Sequence, residues 1–244
     1  TLKILLESIL IKEVVKIPLN ESAHQIFVEG NLVIPDNSIG LVIFAHGSGS
    51  SKRSARNQLV SQRLTENSIG TLLFDLLSKE EQESDKRLEN IISEVPGGTF
   101  NKFNISLLTK RLSIATRWVI DFLKDSNLKL AFFASSTGAA AALTCATKFD
   151  ISSIIIRSGR SDLINTDLSQ VVSSCLFIVG GKERTLIKIN KKTIKQLKNC
   201  EEKELVIVPN ASHLFEEEGT MEKVANLSTQ WLKKHFRPLV NTLS

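Results

Sequence analysis

Six apolar runs constrain this chain more than any other feature: LVIFA, TLLFDLL, LAFFA, SIII, CLFIV and LVIV. Each is short, rich in Val, Ile, Leu or Phe, and apolar at consecutive positions. A strand of that kind hides both faces, as strands do in a parallel sheet covered by helices on both sides. Adding weaker segments, strands are predicted over 13–19, 25–34, 40–45, 70–76, 128–134, 151–157, 174–180 and 204–209, the first two at hairpin spacing. Helical patterns fall between them. Residues 54–67 put Leu59, Val60 and Leu64 on one face, and 105–124 carry the stripe Leu108, Leu112, Ala115, Val119 and Phe122. Residues 137–147 are small and helix-forming, and 190–198 and 221–236 are amphipathic and charged. The β-α alternation predicts an α/β fold with a mostly parallel central sheet and helices on both faces.

Composition narrows the function classes. At 244 residues, 42% apolar and 23% charged, the chain can bury a large core and is neither disordered nor fibrous. No internal repeat or flexible linker divides it, so 1–244 is expected to be a single domain. No apolar run approaches the roughly 18 residues of a membrane span. Lys3, Glu7, Lys12 and Glu13 break up the N-terminus, unlike a signal peptide. The absence of an initiator Met points to upstream residues or an upstream domain, with 1–11 as an N-terminal extension. Net charge is only +5 and the basic residues are scattered. With no tyrosine to stack on bases, a nucleic-acid partner is not expected. Cys145, Cys175 and Cys200 are widely spaced and odd in number, which suits free thiols in a reducing, cytoplasmic compartment. The irregular stretch 78–104 interrupts the strand–helix rhythm and is a candidate lid or insertion.

Chemistry concentrates where strands end. In LAFFASSTGAAAALT a strand runs into Ala134-Ser135-Ser136-Thr137-Gly138 and then a helix of small residues. That is the setting of a nucleophile elbow, a small-x-Ser-x-Gly turn that thrusts the serine hydroxyl out above the sheet. The positions two before and two after the serine come close together and must be small. The helix N-terminus beyond favours developing negative charge. In LVIFAHGSGSS a buried strand ends in a glycine-rich loop. The Ser48 amide there, with that of Thr137, would form an oxyanion hole. His46 is expected to be structural, bonded beneath the loop. Gly47-x-Gly49 followed by Asp75 faintly suggests a dinucleotide site, but the third glycine is replaced by Lys52.

Two further loops supply an acid and a base. NASHLFEEEG follows a late strand and holds His213 in a polar loop, where a general base would reach over the strand ends. His24 lies in an N-terminal strand and His235 in a C-terminal helix. CLFIVGGKERT ends a strand at Glu183, a carboxylate that could orient the histidine, and Asp162 is the alternative acid. The order Ser136, Glu183, His213 is the order known for this kind of fold. Arg157, Arg160 and Arg184 fall at or just beyond strand ends and would favour an anionic substrate, or would pair with Asp75, Glu80 or Glu81 instead.

Together these segments resemble the α/β-hydrolase superfamily and, within it, the dienelactone hydrolase family, in particular a subgroup sometimes fused to a phosphoribosyltransferase domain. The likeness runs from about Lys12 to Phe236, through LVIFAHGSGSSKRSARNQLV, GTLLFDLLSKEE, ASSTGAAAAL, RSGRSDL, IVGGKE and VPNASHLFEEEGTMEKVA. It implies a nucleophile–acid–histidine triad on Ser136, Glu183 and His213. Members usually carry Gly where this chain has Ala134, and Asp where it has Glu183. The founding dienelactone hydrolases use a cysteine nucleophile, so their substrate does not carry over to a serine. The expected activity is hydrolysis of a carboxylic ester or lactone, with no metal or organic cofactor. The competing readings are an inactive α/β-hydrolase used as a partner domain and a nucleotide-binding domain.

Overall fold

A computed structural model describes residues 9–19, 26–91, 100–124 and 126–236. Among them run the strands β1 (Ile9–Pro18), β2 (Phe27–Pro35), β3 (Gly40–Ala45), β4 (Gly70–Phe74), β5 (Lys129–Ser135), β6 (Ser153–Arg157), β7 (Ser174–Gly180) and β8 (Lys203–Val208). They form one sheet in the order β1-β2-β4-β3-β5-β6-β7-β8. β1 and β2 pair antiparallel, and β2 is antiparallel to β4. From β4 to β8 every pairing is parallel. Each predicted strand has a counterpart. β1 starts earlier than expected, at Ile9, so the end of the supposed N-terminal extension is edge strand.

The continuous apolar runs are explained by two cores, one on each side of the sheet. Leu41 and Ile43 of β3 face a cluster with Leu108, Leu112, Ala115 and Val119 of α3 (Ile105–Phe122) and Ala139, Ala141, Ala142 and Ala146 of α4 (Thr137–Ala146). The alternate residues Val42 and Phe44 face Val60 and Leu64 of α1 (Ala55–Thr65) and Val224 and Leu232 of α6 (Thr220–Phe236). Period-two alternation therefore operates, but both faces are apolar. Each fully buried Leu, Ile or Phe contributes about 1.5–3 kcal/mol.

Two helices also differ from the sequence expectation. The stretch 78–104 contains a helix, α2 (Lys79–Ile91), and a 3-10 turn at Asn101–Phe103; 92–99 lie outside the described residues. α2 lacks an apolar stripe, and its good helix formers were the remaining signal. α5 (Arg184–Gln196) begins six residues before the predicted 190. Its buried face is Leu186, Asn190 and Thr193, helically spaced but two-thirds polar, so an apolar template passes over it.

The topology also says where a ligand belongs. The chain leaves β3 toward β4 on one side, while β5 flanks β3 on the other. The carboxyl ends of β3 and β5 thus flank the point where strand order reverses, the preferred crevice in open α/β sheets. The glycine-rich loop and the Ser136 turn both lie there.

Candidate active site

Ser136 occupies the corner between β5 and α4, with φ 48° and ψ −122°. A non-glycine residue held there costs on the order of 1–3 kcal/mol. The corner is locked by main-chain bonds. Ser136 N–H donates to Arg157 O at 3.3 Å, and Ser136 O accepts from Arg160 N–H at 3.0 Å and Ala139 N–H at 3.1 Å. Gly138 is needed because a Cβ there would sit 2.1 Å from the Ala45 carbonyl oxygen of β3. Ala134 is buried in the core, paired across to Ala45 and Ile156. Although Ser136 sits at the N-cap of α4, its side chain accepts no capping bond, so the hydroxyl is not tied to the helix.

His213 and Glu183 come together at the other side of the crevice. His213 Nδ1 lies 3.5 Å from Glu183 Oε2, each side chain about one-third exposed. Glu183 is the N-cap residue of α5 yet makes no side-chain cap bond; its carboxylate turns to the imidazole. Asp162, the alternative acid, is held in a two-bond pair by Arg160, both at 2.8 Å. A Cβ on Gly180 would lie 2.4 Å from Ala211 O and 2.5 Å from Ser212 O, so the glycine at the end of β7 lets the acid loop and the histidine loop touch.

Four groups that the sequence did not flag hold this arrangement. Glu217 accepts from Lys182 Nζ at 2.8 Å, from Ser212 N–H at 2.9 Å and from the Ser212 hydroxyl at 3.2 Å. It thus ties the residue before the acid to the residue before the histidine. The Lys182 ammonium, then the Ser212 amide, hold its carboxyl down to about 2. Ser158, with φ 47°, donates its hydroxyl to His213 O at 3.0 Å. Lys182 N–H donates to Ala211 O at 3.0 Å. Nothing in a triplet of glutamates after His213 marks Glu217 as the one that matters; that is settled by chain geometry.

Ser136, His213, Ser48 and Ser158 line one cavity of about 270 Å³, together with Arg56 and Arg157. Thr137 is the buried first residue of α4, so its amide has no intrahelical acceptor. His46 is structural as expected: Nδ1–H donates to Gly47 O at 3.0 Å and Nε2 accepts from Leu76 N–H at 3.0 Å. Burial lowers its pKa. Asp75 accepts from the Lys52 amide at 2.8 Å, which spends on loop structure the carboxylate that a dinucleotide site would need. His24 lies outside the described residues, and His235 sits 3.4 Å from Glu202 at the end of α6.

The three rim arginines separate. Arg184 is exposed at the start of α5 and outside the cavity. Arg160 is taken by Asp162 and reaches the elbow only through its backbone. Arg157 is 4% exposed, and its Nε has no hydrogen-bond partner among the described residues. One guanidinium nitrogen donates to Leu214 O at 3.5 Å, and the group lies 5.9 Å from the Phe215 ring centre. Burial, then the like charge of Arg56, lower its pKa to about 10, so it stays a cation at neutral pH.

An eight-stranded, mostly parallel sheet whose order reverses at β3 is the fold of an α/β-hydrolase. Within that class the chain belongs to the dienelactone hydrolase family. The dienelactone hydrolase of Anabaena variabilis is 38% identical, with a TM-score of 0.82 over 93% of this chain and 99% of that one. An esterase of Pyrococcus furiosus shares the fold at 14% identity, with a TM-score of 0.69 over 93% of this chain and 92% of that one. A Mycobacterium tuberculosis protein provisionally named a phosphoribosyl transferase is 38% identical over 212 residues, 86% of this chain and 44% of its own. The chain therefore spans less than half the length of that relative. No family model matches the chain. Fold and family are those of hydrolases.

Proposed function

We propose that the chain is a serine hydrolase acting on a carboxylic ester or lactone through an acyl-enzyme. The observation that carries this reading is the strained Ser136 corner, sharing a cavity with a histidine whose far nitrogen faces Glu183. Ser136 Oγ attacks the carbonyl carbon while His213 Nε2 takes the hydroxyl proton. Glu183 keeps the proton on Nδ1 and stabilises the imidazolium. The amides of Ser48 and Thr137, helped by the N-terminus of α4, hold the oxyanion. His213 then protonates the leaving oxygen. Water attacks the acyl-enzyme with His213 again as base, and Ser136 is released. A contact of 3.5 Å between acid and base is a resting distance of the kind that tightens when substrate binds.

Arg157 supports an anionic substrate. A buried cation without a carboxylate partner is costly unless a ligand neutralises it. It lines the same cavity as Ser136, so a carboxylate on the substrate would meet it beside the reacting carbonyl.

Two measurements test the proposal. A fluorophosphonate probe should label the wild type and leave Ser136→Ala unlabelled, with ester turnover falling on the order of 10⁴-fold. An unlabelled wild type would instead support an inactive partner domain. Arg157→Met keeps the apolar stem and removes the charge. It should raise KM for a carboxylate-bearing ester about 10- to 100-fold, the worth of a charged hydrogen bond, while a neutral ester is hydrolysed as before. Equal losses on both esters would show that Arg157 only shapes the fold.

A further inference from the structure

Away from the crevice, at the opposite end of β7, two thiols share one oxygen. Cys175 is the second residue of β7 and fully buried, and Cys200 precedes β8 and is half-buried. The Cys200 thiol donates to Ser173 O at 2.8 Å and the Cys175 thiol to the same oxygen at 3.4 Å. The backbone fixes the segments side by side: Glu201 N–H donates to Val172 O at 3.1 Å and Cys175 N–H to Glu202 O at 2.7 Å. Cys145 lies elsewhere, under α3, against Ser113 and Thr116.

We propose that Cys175 and Cys200 are a dithiol modification site, which hydroperoxides convert to an intramolecular disulfide. The shared acceptor keeps both sulfurs in one small space, and Cys200 is open enough for a small oxidant to enter. The electrostatics divide the roles. The neighbouring Cys175 thiol, with Lys203 among the smaller causes, holds Cys200 below the usual thiol range. Cys200 and burial together push Cys175 well above it. The thiolate is the nucleophile, so Cys200 reacts first.

In the first step the Cys200 thiolate attacks one oxygen of hydrogen peroxide. The O–O bond breaks, and hydroxide leaves and becomes water with the thiol's proton, leaving Cys200 as a sulfenic acid. In the second step the Cys175 sulfur attacks the Cys200 sulfur, and the S–O bond breaks. The departing hydroxide leaves as a second water with the Cys175 proton. Two thiols lose two electrons, and one peroxide is reduced to two waters. The bond encloses Glu183 and α5 in its loop, so it fastens the base of the strand whose far end carries the acid.

The native wild-type chain carries the test. It is treated with hydrogen peroxide, quenched, unfolded and alkylated with iodoacetamide. The proposal expects an intact mass lighter by two hydrogens before alkylation, Cys145 as the one alkylated thiol, and a linked Cys175–Cys200 peptide. Closing a loop of this length should raise Tm by roughly 5–10 °C, reversed by dithiothreitol. Cys200→Ser should show neither the mass loss nor the Tm rise. Three alkylated thiols after peroxide, a Cys200 carried to sulfinic acid without a link, or a bond to Cys145 would each overturn it.

Discussion

The Ser136 corner and the α2 cover stand on either side of the glycine-rich loop and are built on opposite physics. The corner is made of small and apolar residues packed against backbone: Gly138 against Ala45 O and Ala134 within the core. The cover is made of charge. Asp85 of α2 accepts from Asn101 N–H at 2.8 Å and Lys102 N–H at 2.9 Å, Glu81 pairs with Arg111, and Lys79 with Glu29. Between α2 and the loop lies a second cavity of about 320 Å³, lined by Gly47–Ser50, Leu77, Gln82 and Lys86. A steric frame admits one geometry and fails all at once. A polar cover gives way in steps, one bond at a time.

Breaking the frame should have the largest effect. Gly138→Ala places a methyl 2.1 Å from a carbonyl oxygen in the middle of the sheet. Backbone cannot swing away as a side chain can, so overpacking here should cost more than about 3 kcal/mol. Thermal unfolding should show Tm lower by roughly 10 °C, with probe labelling of Ser136 lost alongside. An unshifted Tm would mean that β3 and α4 can part, and that the corner is no more rigid than the cover.

The cover should break more gently. Asp85→Ala leaves the amides of Asn101 and Lys102 without their acceptor at a buried position, a local cost of about 2 kcal/mol. Hydrogen exchange should quicken across Lys79–Ile91 and at Asn101–Phe103, while the α4 amides keep their protection. The global Tm should move by a few degrees at most. Ester KM should rise if substrate extends into the second cavity, with labelling of Ser136 unchanged. Exchange rising equally in α4 would join the two regions into one cooperative unit.

The same contrast decides what could be read in the sequence. Buried strands announce themselves because both faces are apolar, and the elbow because sterics restrict its residue types. α2 escapes a periodicity reading because KEEQESDKRLENI has no apolar face, and it is held by Asn101, Lys102 and Arg111, 13 to 30 residues along the chain. Sequence leaves Glu183 and Asp162 as alternatives; in the structure Arg160 holds Asp162, and Glu183 faces His213. The Glu217 tie between the acid and histidine loops had no local signal at all. Of the three rim arginines, position at a strand end could not say which would point inward; burial singled out Arg157.

The smallest effect separates the regions by pH. Burial holds the His46 pKa below the ordinary 6.5, against smaller opposing pulls from the Gly47 carbonyl and then Asp75. An unfolded chain takes up a proton near 6.5 while the folded chain resists, so folding loses stability as pH falls below that value. Protonation would also remove the Nε2 acceptor that holds Leu76 N–H, and with it the anchor of the glycine-rich loop. On the cover, Glu80 is held below 4.5 by its own backbone amide and Ser78. That stabilisation is complete above 4.5 and fades only as pH drops through the lower folded value. Lowering pH from 7.5 to 5.5 should therefore loosen the glycine-rich loop first, seen as faster exchange at Leu76 and a mild fall in Tm. Protection across Lys79–Ile91 should hold until pH drops below 4.5. His46→Asn should reduce the Tm slope between pH 7.5 and 5.5, leaving the share of His235, whose pKa burial also lowers. An undiminished slope would move the acid-sensitive group out of the frame.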